Sequence, residues 1–143
     1  MHGGERVVSF ERDGWNVELI INLGEFNKFI SKLREKIEKN EKYSHLPSVD
    51  VSLERAEKAL KMYEKWLEFF SNASDEEVVK ELDDVINYFV GNPCGRVYWI
   101  EDCLFKYSPY AYYKAYYYTV VAEKIERNRK QKLIKIVVEP QIR

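Results

Sequence analysis

Histidine, cysteine and glutamine each occur twice in this chain of 143 residues, and proline four times. Each scarcity removes a class of chemistry. Acid–base and nucleophilic catalysis need groups held within hydrogen-bond reach of one another, usually including a histidine or a perturbed carboxylate. His2 sits two residues from the start and His45 in a segment shared with Pro47, so both read as solvated or locally bonded imidazoles rather than catalytic bases. Cys94 and Cys103 lie nine apart, without the close cysteine pairs and accompanying histidines of a zinc site. They read as two partly buried thiols or, alternatively, as a disulfide. The six glycines (Gly3, Gly4, Gly14, Gly24, Gly91 and Gly95) are scattered, and none of their spacings makes a phosphate loop. No apolar run approaches the roughly 18 to 20 residues that span a bilayer, and no charged start followed by an apolar stretch marks a secretory signal. The expectation is a cytoplasmic protein that is no enzyme, carries no cofactor or metal and has no membrane partner.

Charge is abundant by contrast. Asp, Glu, Lys and Arg make up 33% of the chain, above the usual quarter. Charge-rich, glutamine-poor composition is what selection for surface ion-pair networks produces, which points to a thermophilic source. The net charge of −1 conceals a division. Residues 1–93 carry 13 basic and 19 acidic side chains, hence −6, whereas residues 94–143 carry 10 and 5, hence +5. Such a split suits an acidic, soluble body with one anion-facing surface.

Along the chain, Val8 and Phe10 alternate with polar residues, Asp13-Gly14 supplies a two-residue turn, and Trp15, Val17, Leu19 and Ile21 alternate again: a β-hairpin. After Leu23-Gly24 breaks this pattern, Phe26, Phe29, Ile30, Leu33 and Ile37 mark a helix from about Glu25 to Asn40. Residues 40–50 read as a loop through Pro47. Asp50 or Ser52 then caps a second helix whose face is Leu53, Ala56, Leu60, Tyr63, Leu67 and Phe70, with Trp66 beside it. Ser74 and Glu77 form a capping box for a third helix carrying Val78, Leu82, Val85, Ile86 and Phe89, which Gly91 and Pro93 terminate. Its acidic residues Glu81, Asp83 and Asp84 are assigned to the solvent side. Consecutive helical positions diverge, so they do not suggest a magnesium site.

Residues 95–107 are assigned to a fourth helix ending before Pro109, in competition with a short hairpin about Glu101-Asp102. The β-rich runs 116–121 and 133–138, with charged residues 126–132 between them, form a second hairpin; one long helix over 110–132 is its rival. The fold expected is α+β, a four-stranded antiparallel sheet from the N- and C-terminal hairpins packed on three to four helices in a single domain.

The segment from Tyr98 to Tyr118 is aromatic at ten of its 21 positions, with Arg96, Lys106 and Lys114 interleaved and Arg127, Arg129, Lys130 and Lys132 beyond. Neighbouring strand residues alternate faces, so the run Tyr116, Tyr117, Tyr118 cannot all turn to one core. Single-stranded nucleic acid calls for this combination: aromatic faces for unstacked bases, about 1 to 3 kcal/mol each, with cations near the backbone. Tyrosine is equally favoured in protein interfaces, and a tyrosine-rich assembly subunit is the alternative reading. The positive charge of the same segment favours nucleic acid, without distinguishing DNA from RNA.

In its order of hairpin, helical run, aromatic tract and basic terminal hairpin, the chain resembles the ThermoDBP-type single-stranded DNA-binding proteins of thermophilic archaea, including their related-protein branch. The resemblance implies sequence-independent binding of single strands in an aromatic and apolar cleft edged by basic residues, with homo-oligomerisation contributing. On that basis Trp99, Phe105, Tyr107, Tyr110, Tyr112 and Tyr113 would stack bases. Arg96, Lys106, Lys114, Arg127, Arg129 and Lys130 would hold phosphates. Some members of that group end in a leucine-zipper helix, whereas Leu133 to Val138 reads here as a strand, whose apolar edge is then a candidate for pairing between subunits.

Overall fold

The computed structural model describes residues 4–41, 47–91, 96–100, 103–115, 118–127 and 131–140. Strands β1 (Glu5–Arg12) and β2 (Trp15–Asn22) pair in antiparallel register. Asp13 (φ 52°) and Gly14 (φ 84°) both take positive φ, the requirement of the hairpin turn whose twist matches its strands. Helix α1 (Leu23–Glu41) begins at once, earlier than the pattern break suggested. The Asn22 side chain accepts from the Glu25 amide at 3.3 Å, and Gly24 donates its amide to Gly4 O at 2.8 Å. A Cβ on Gly24 would stand 3.4 Å from the Gly4 nitrogen, so the bare backbone suits this approach.

Helix α2 (Pro47–Asn72) starts three residues before Asp50 and five before Ser52, the two caps expected, because Pro47 occupies the first helical position, where its fixed φ and missing N–H cost nothing. Ala56, Tyr63, Leu67 and Phe70 are buried along one face, as their spacing predicts. The expected third helix is present as two, α3 (Asp75–Glu81) and α4 (Asp83–Gly91), meeting at Leu82 (φ −97°, ψ 8°). The Ser74–Glu77 capping box is formed in both directions. Val78, Leu82, Val85 and Ile86 follow the i, i+4, i+7, i+8 spacing of one helical face and are all buried, so α3 and α4 present a common apolar stripe to the core on either side of Leu82.

The sheet departs from expectation in size and direction. It has six strands in the order β1-β2-β6-β5-β4-β3, and β2 pairs parallel with β6, so it is mixed rather than antiparallel. The four expected strands are there, with β5 (Tyr118–Arg127) and β6 (Gln131–Pro140) forming the C-terminal hairpin and excluding the long-helix rival. The aromatic tract adds two more. The described residues of 95–107 are not helical but form β3 (Arg96–Ile100) and the start of β4 (Cys103–Ala115), paired in antiparallel register. Aromatic and β-branched residues on a pleated surface outweigh the weak helical spacing here. Pro109 lies past Tyr107, the last described residue paired to β3, and among the described residues its ladder partner is Glu123 of β5. β6 is central rather than an edge, so it is closed to pairing between subunits by its neighbours β2 and β5.

The described helices lie on one face of the sheet. Val8, Val17, Leu19, Ile21, Val120, Ile134, Ile136 and Val138 point into the shared core. Each fully buried aliphatic side chain contributes about 2 kcal/mol of apolar transfer. Tyr118 joins the layers, its ring 4.7 Å from Trp66 and 5.4 Å from Phe70, with Phe26 6.2 Å beyond Phe70. Two arginines of β1 tie the helix layer down. Arg6 donates to Phe70 O at 2.8 Å and to Asp75 at 2.9 Å; Arg12 donates to Asp83 at 2.6 Å and to Asn87 at 2.9 Å. Among the described residues no helix is long and apolar enough to cross a membrane.

Candidate nucleic-acid interface

Strand register sorts the aromatic and basic residues into two sets. Ser108, Tyr110 and Tyr112 of β4 stand opposite Lys124, Ala122 and Val120 of β5, whose side chains are buried beneath the helices. They continue core rows outward on the helix side, as does Lys106, opposite Glu126. Leu104 has the same parity and brings its β3 partner Trp99 to that side. Tyr113 and Lys114 fall within the register shift between Tyr112 and Ala115. The other face takes Arg96, opposite Tyr107, and Phe105, opposite Arg127. Arg129 and Lys130 lie outside the described residues, as do Tyr116, Tyr117 and Cys94. The sequence-predicted set is therefore divided: Trp99, Lys106, Tyr110 and Tyr112 share one face, and Arg96, Phe105, Tyr107 and Arg127 the other.

The helix side gains partners that sequence reasoning left out. Trp15, directly after the hairpin turn, has the ammonium groups of Lys124 and Lys132 at 4.6 and 5.5 Å from its ring centre. Lys124 is only 5% exposed, and its Nζ donates at 3.1 Å to Val90 O in the last turn of α4, where the carbonyl end of a helix favours a cation. Lys132 stands opposite Glu126, which stands opposite Lys106. Trp15 and Lys132 thus lie on the same side of the sheet as Lys106, and both are half-buried. The signal for Lys124 was present in the sequence: it follows Val120 and Ala122 at strand spacing, so its stem had to face the core. For Trp15 the signal was only that its strand alternates.

Two acidic residues assigned to solvent face the sheet instead. Glu81 accepts a 2.8 Å hydrogen bond from the Tyr118 hydroxyl, and Asp83 is the partner of Arg12. Burial first, and then the bond to Glu81 and its charge, push the Tyr118 phenol far above its ordinary value. These carboxylates complete interlayer contacts, with Leu82 buried between them. Near the hairpin, Ser9, Glu11, Asn16, Glu18 and Leu133 line a shallow depression whose two carboxylates suit no phosphate. No family model, characterised protein or solved structure matches this chain.

Proposed function

We propose that the chain binds single-stranded DNA without sequence preference, along a helix-side ledge that runs from Trp15 of β2 and Lys132 of β6 across to β4 and β3. The observation that carries this reading is the convergence on one face of Trp15 and Lys132 with the register positions of Lys106, Tyr110, Tyr112 and Trp99. Aromatic surfaces take unstacked bases, and cations beside them neutralise the backbone. Lys124, engaged with Val90 O, holds Trp15 in place from behind rather than meeting the strand. Residues Arg96, Phe105, Tyr107 and Arg127, on the opposite face, take no part in this ledge.

Titrating a fluorescent oligo-dT at two salt concentrations tests the proposal. Binding in the micromolar range or tighter at low salt, weakening steeply as salt rises, is the expected outcome, because bound phosphates release counterions. Lys106→Ala and Lys132→Ala should each lower the salt slope by about 1, and Arg96→Ala should leave it unchanged. Absence of binding at low salt would end the idea. An oligo-U competitor reports whether the 2′-hydroxyl matters.

A further inference from the structure

The face of the sheet opposite the helices carries a pattern that fits a copy of itself. One row crosses all six strands: Glu11, Asn16, Leu133, Ile125, Tyr107 and Arg96, each in register with the next. It begins with an anion, ends with a cation and is apolar in the middle. A second row begins Val7, Ile20, Val137 and continues to the register positions of Val121 and Ala111. Val7 is 55% exposed, although it is a β-branched apolar residue. Between these rows Lys135 is in register with Glu18 on one side and Glu123 on the other.

From this we infer that two copies pack with these faces together, about a two-fold axis that runs parallel to the strands and passes between β6 and β5. Such an axis lays β6 of one copy on β5 of the other, β2 on β4 and β1 on β3. Every row then meets its own reverse. Lys135 meets Glu123 and Leu133 meets Ile125. Val137 meets the position of Val121, and Glu11 meets the position of Arg96. No like charges oppose one another in these rows. An axis over β2 would instead bring Glu18 onto Glu18, and one over β6 would bring Lys135 onto Lys135. The area suffices as well. Six strands at ~4.8 Å spacing and eight residues at ~3.3 Å give roughly 600 Å² per copy, hence roughly 1,200 Å² in all, the lower bound of a stable interface. Both helix layers face outward in this arrangement, so the proposed ledge stays open and the inference does not depend on it.

Glu11 and Arg96 provide the test, because within one copy they stand on opposite edges of the sheet, five strand spacings or about 24 Å apart. Energetic coupling between them therefore has to pass between copies. Sedimentation equilibrium should give twice the chain mass of 17.1 kDa. Glu11→Arg and Arg96→Glu should each raise the dissociation constant at least about tenfold, and the double variant should restore it. Glu11 is exposed, so its replacement leaves the fold intact, and circular dichroism melting checks this for each variant. A monomer at about 100 μM, a dimer indifferent to either change, or single effects that add without rescue would each overturn the inference. Monomeric Glu11→Arg should still bind oligo-dT; if it does not while remaining folded, the ledge proposal fails separately.

Discussion

Tyr118 shows how much one side chain does here. It is fully buried, meets Trp66 and Phe70 edge-on and donates to Glu81, so the same residue packs the core and fixes α3 on the sheet. Tyr118→Phe keeps the ring and loses the bond, and Glu81, being only half-buried, can turn to water. Destabilisation of about 1 kcal/mol is expected, seen as a melting point lower by roughly 2 to 4 °C. The phenol also carries a pH signature. Its folded-state pKa is raised, so its contribution is complete below the unfolded value of about 10 and is lost as the pH climbs beyond it. Urea denaturation at pH 8 and pH 11 should show wild type losing about 1.4 kcal/mol more than Tyr118→Phe between the two. An equal loss in both proteins would mean that this hydroxyl ionises freely in the fold. Trp15→Ala belongs to the same scale: it removes the ring between Lys124 and Lys132 and should weaken oligo-dT binding by about 1 to 3 kcal/mol.

Short elements with local signals were legible in the sequence. Asp13-Gly14 states its turn, and Gly14→Ala, forced to φ 84°, should cost about 1 kcal/mol in chemical denaturation, whereas Asp13→Asn should be nearly neutral. Ser74 and Glu77 state their cap, and Ser74→Ala should cost about 1 kcal/mol and fray α3, read as faster amide exchange at Glu77 and Val78. Elements whose identity depends on distant partners were not legible. Tyr98, Trp99 and Phe105 fit a helix or a strand by spacing, and only the pairing of β3 with β4 and of β4 with β5 decides between them. Pro47 reads as a loop residue because a proline that interrupts a helix and one that opens it carry the same local signal. The ledge was half legible for a related reason. Its aromatic and basic membership is compositional, but the division of Tyr110 from Tyr107 between two faces is a matter of register, and no local signal sets register.

At the level of the molecule, the parallel pair β2–β6 binds the two ends of the sequence into one sheet. Asn16 and Leu133 are 117 positions apart and yet adjacent, a separation at which loop closure slows folding. Ile136, fully buried in β6 between Leu19 and Ala122, is the sensitive point: Ile136→Ala should cost about 3 kcal/mol in urea denaturation, with little room for collapse in a central strand. The position of β6 also bears on how the protein is made. It leaves the ribosome after the other described strands, and it fills a slot flanked on both sides by strands synthesised earlier. Until it arrives, β2 and β5 each present an unsatisfied ladder edge, and the nascent chain is two half-sheets waiting for a wedge. A chain cut after Arg127 should therefore be insoluble when expressed alone, and a synthetic peptide of residues 131–140 supplied during refolding should rescue it.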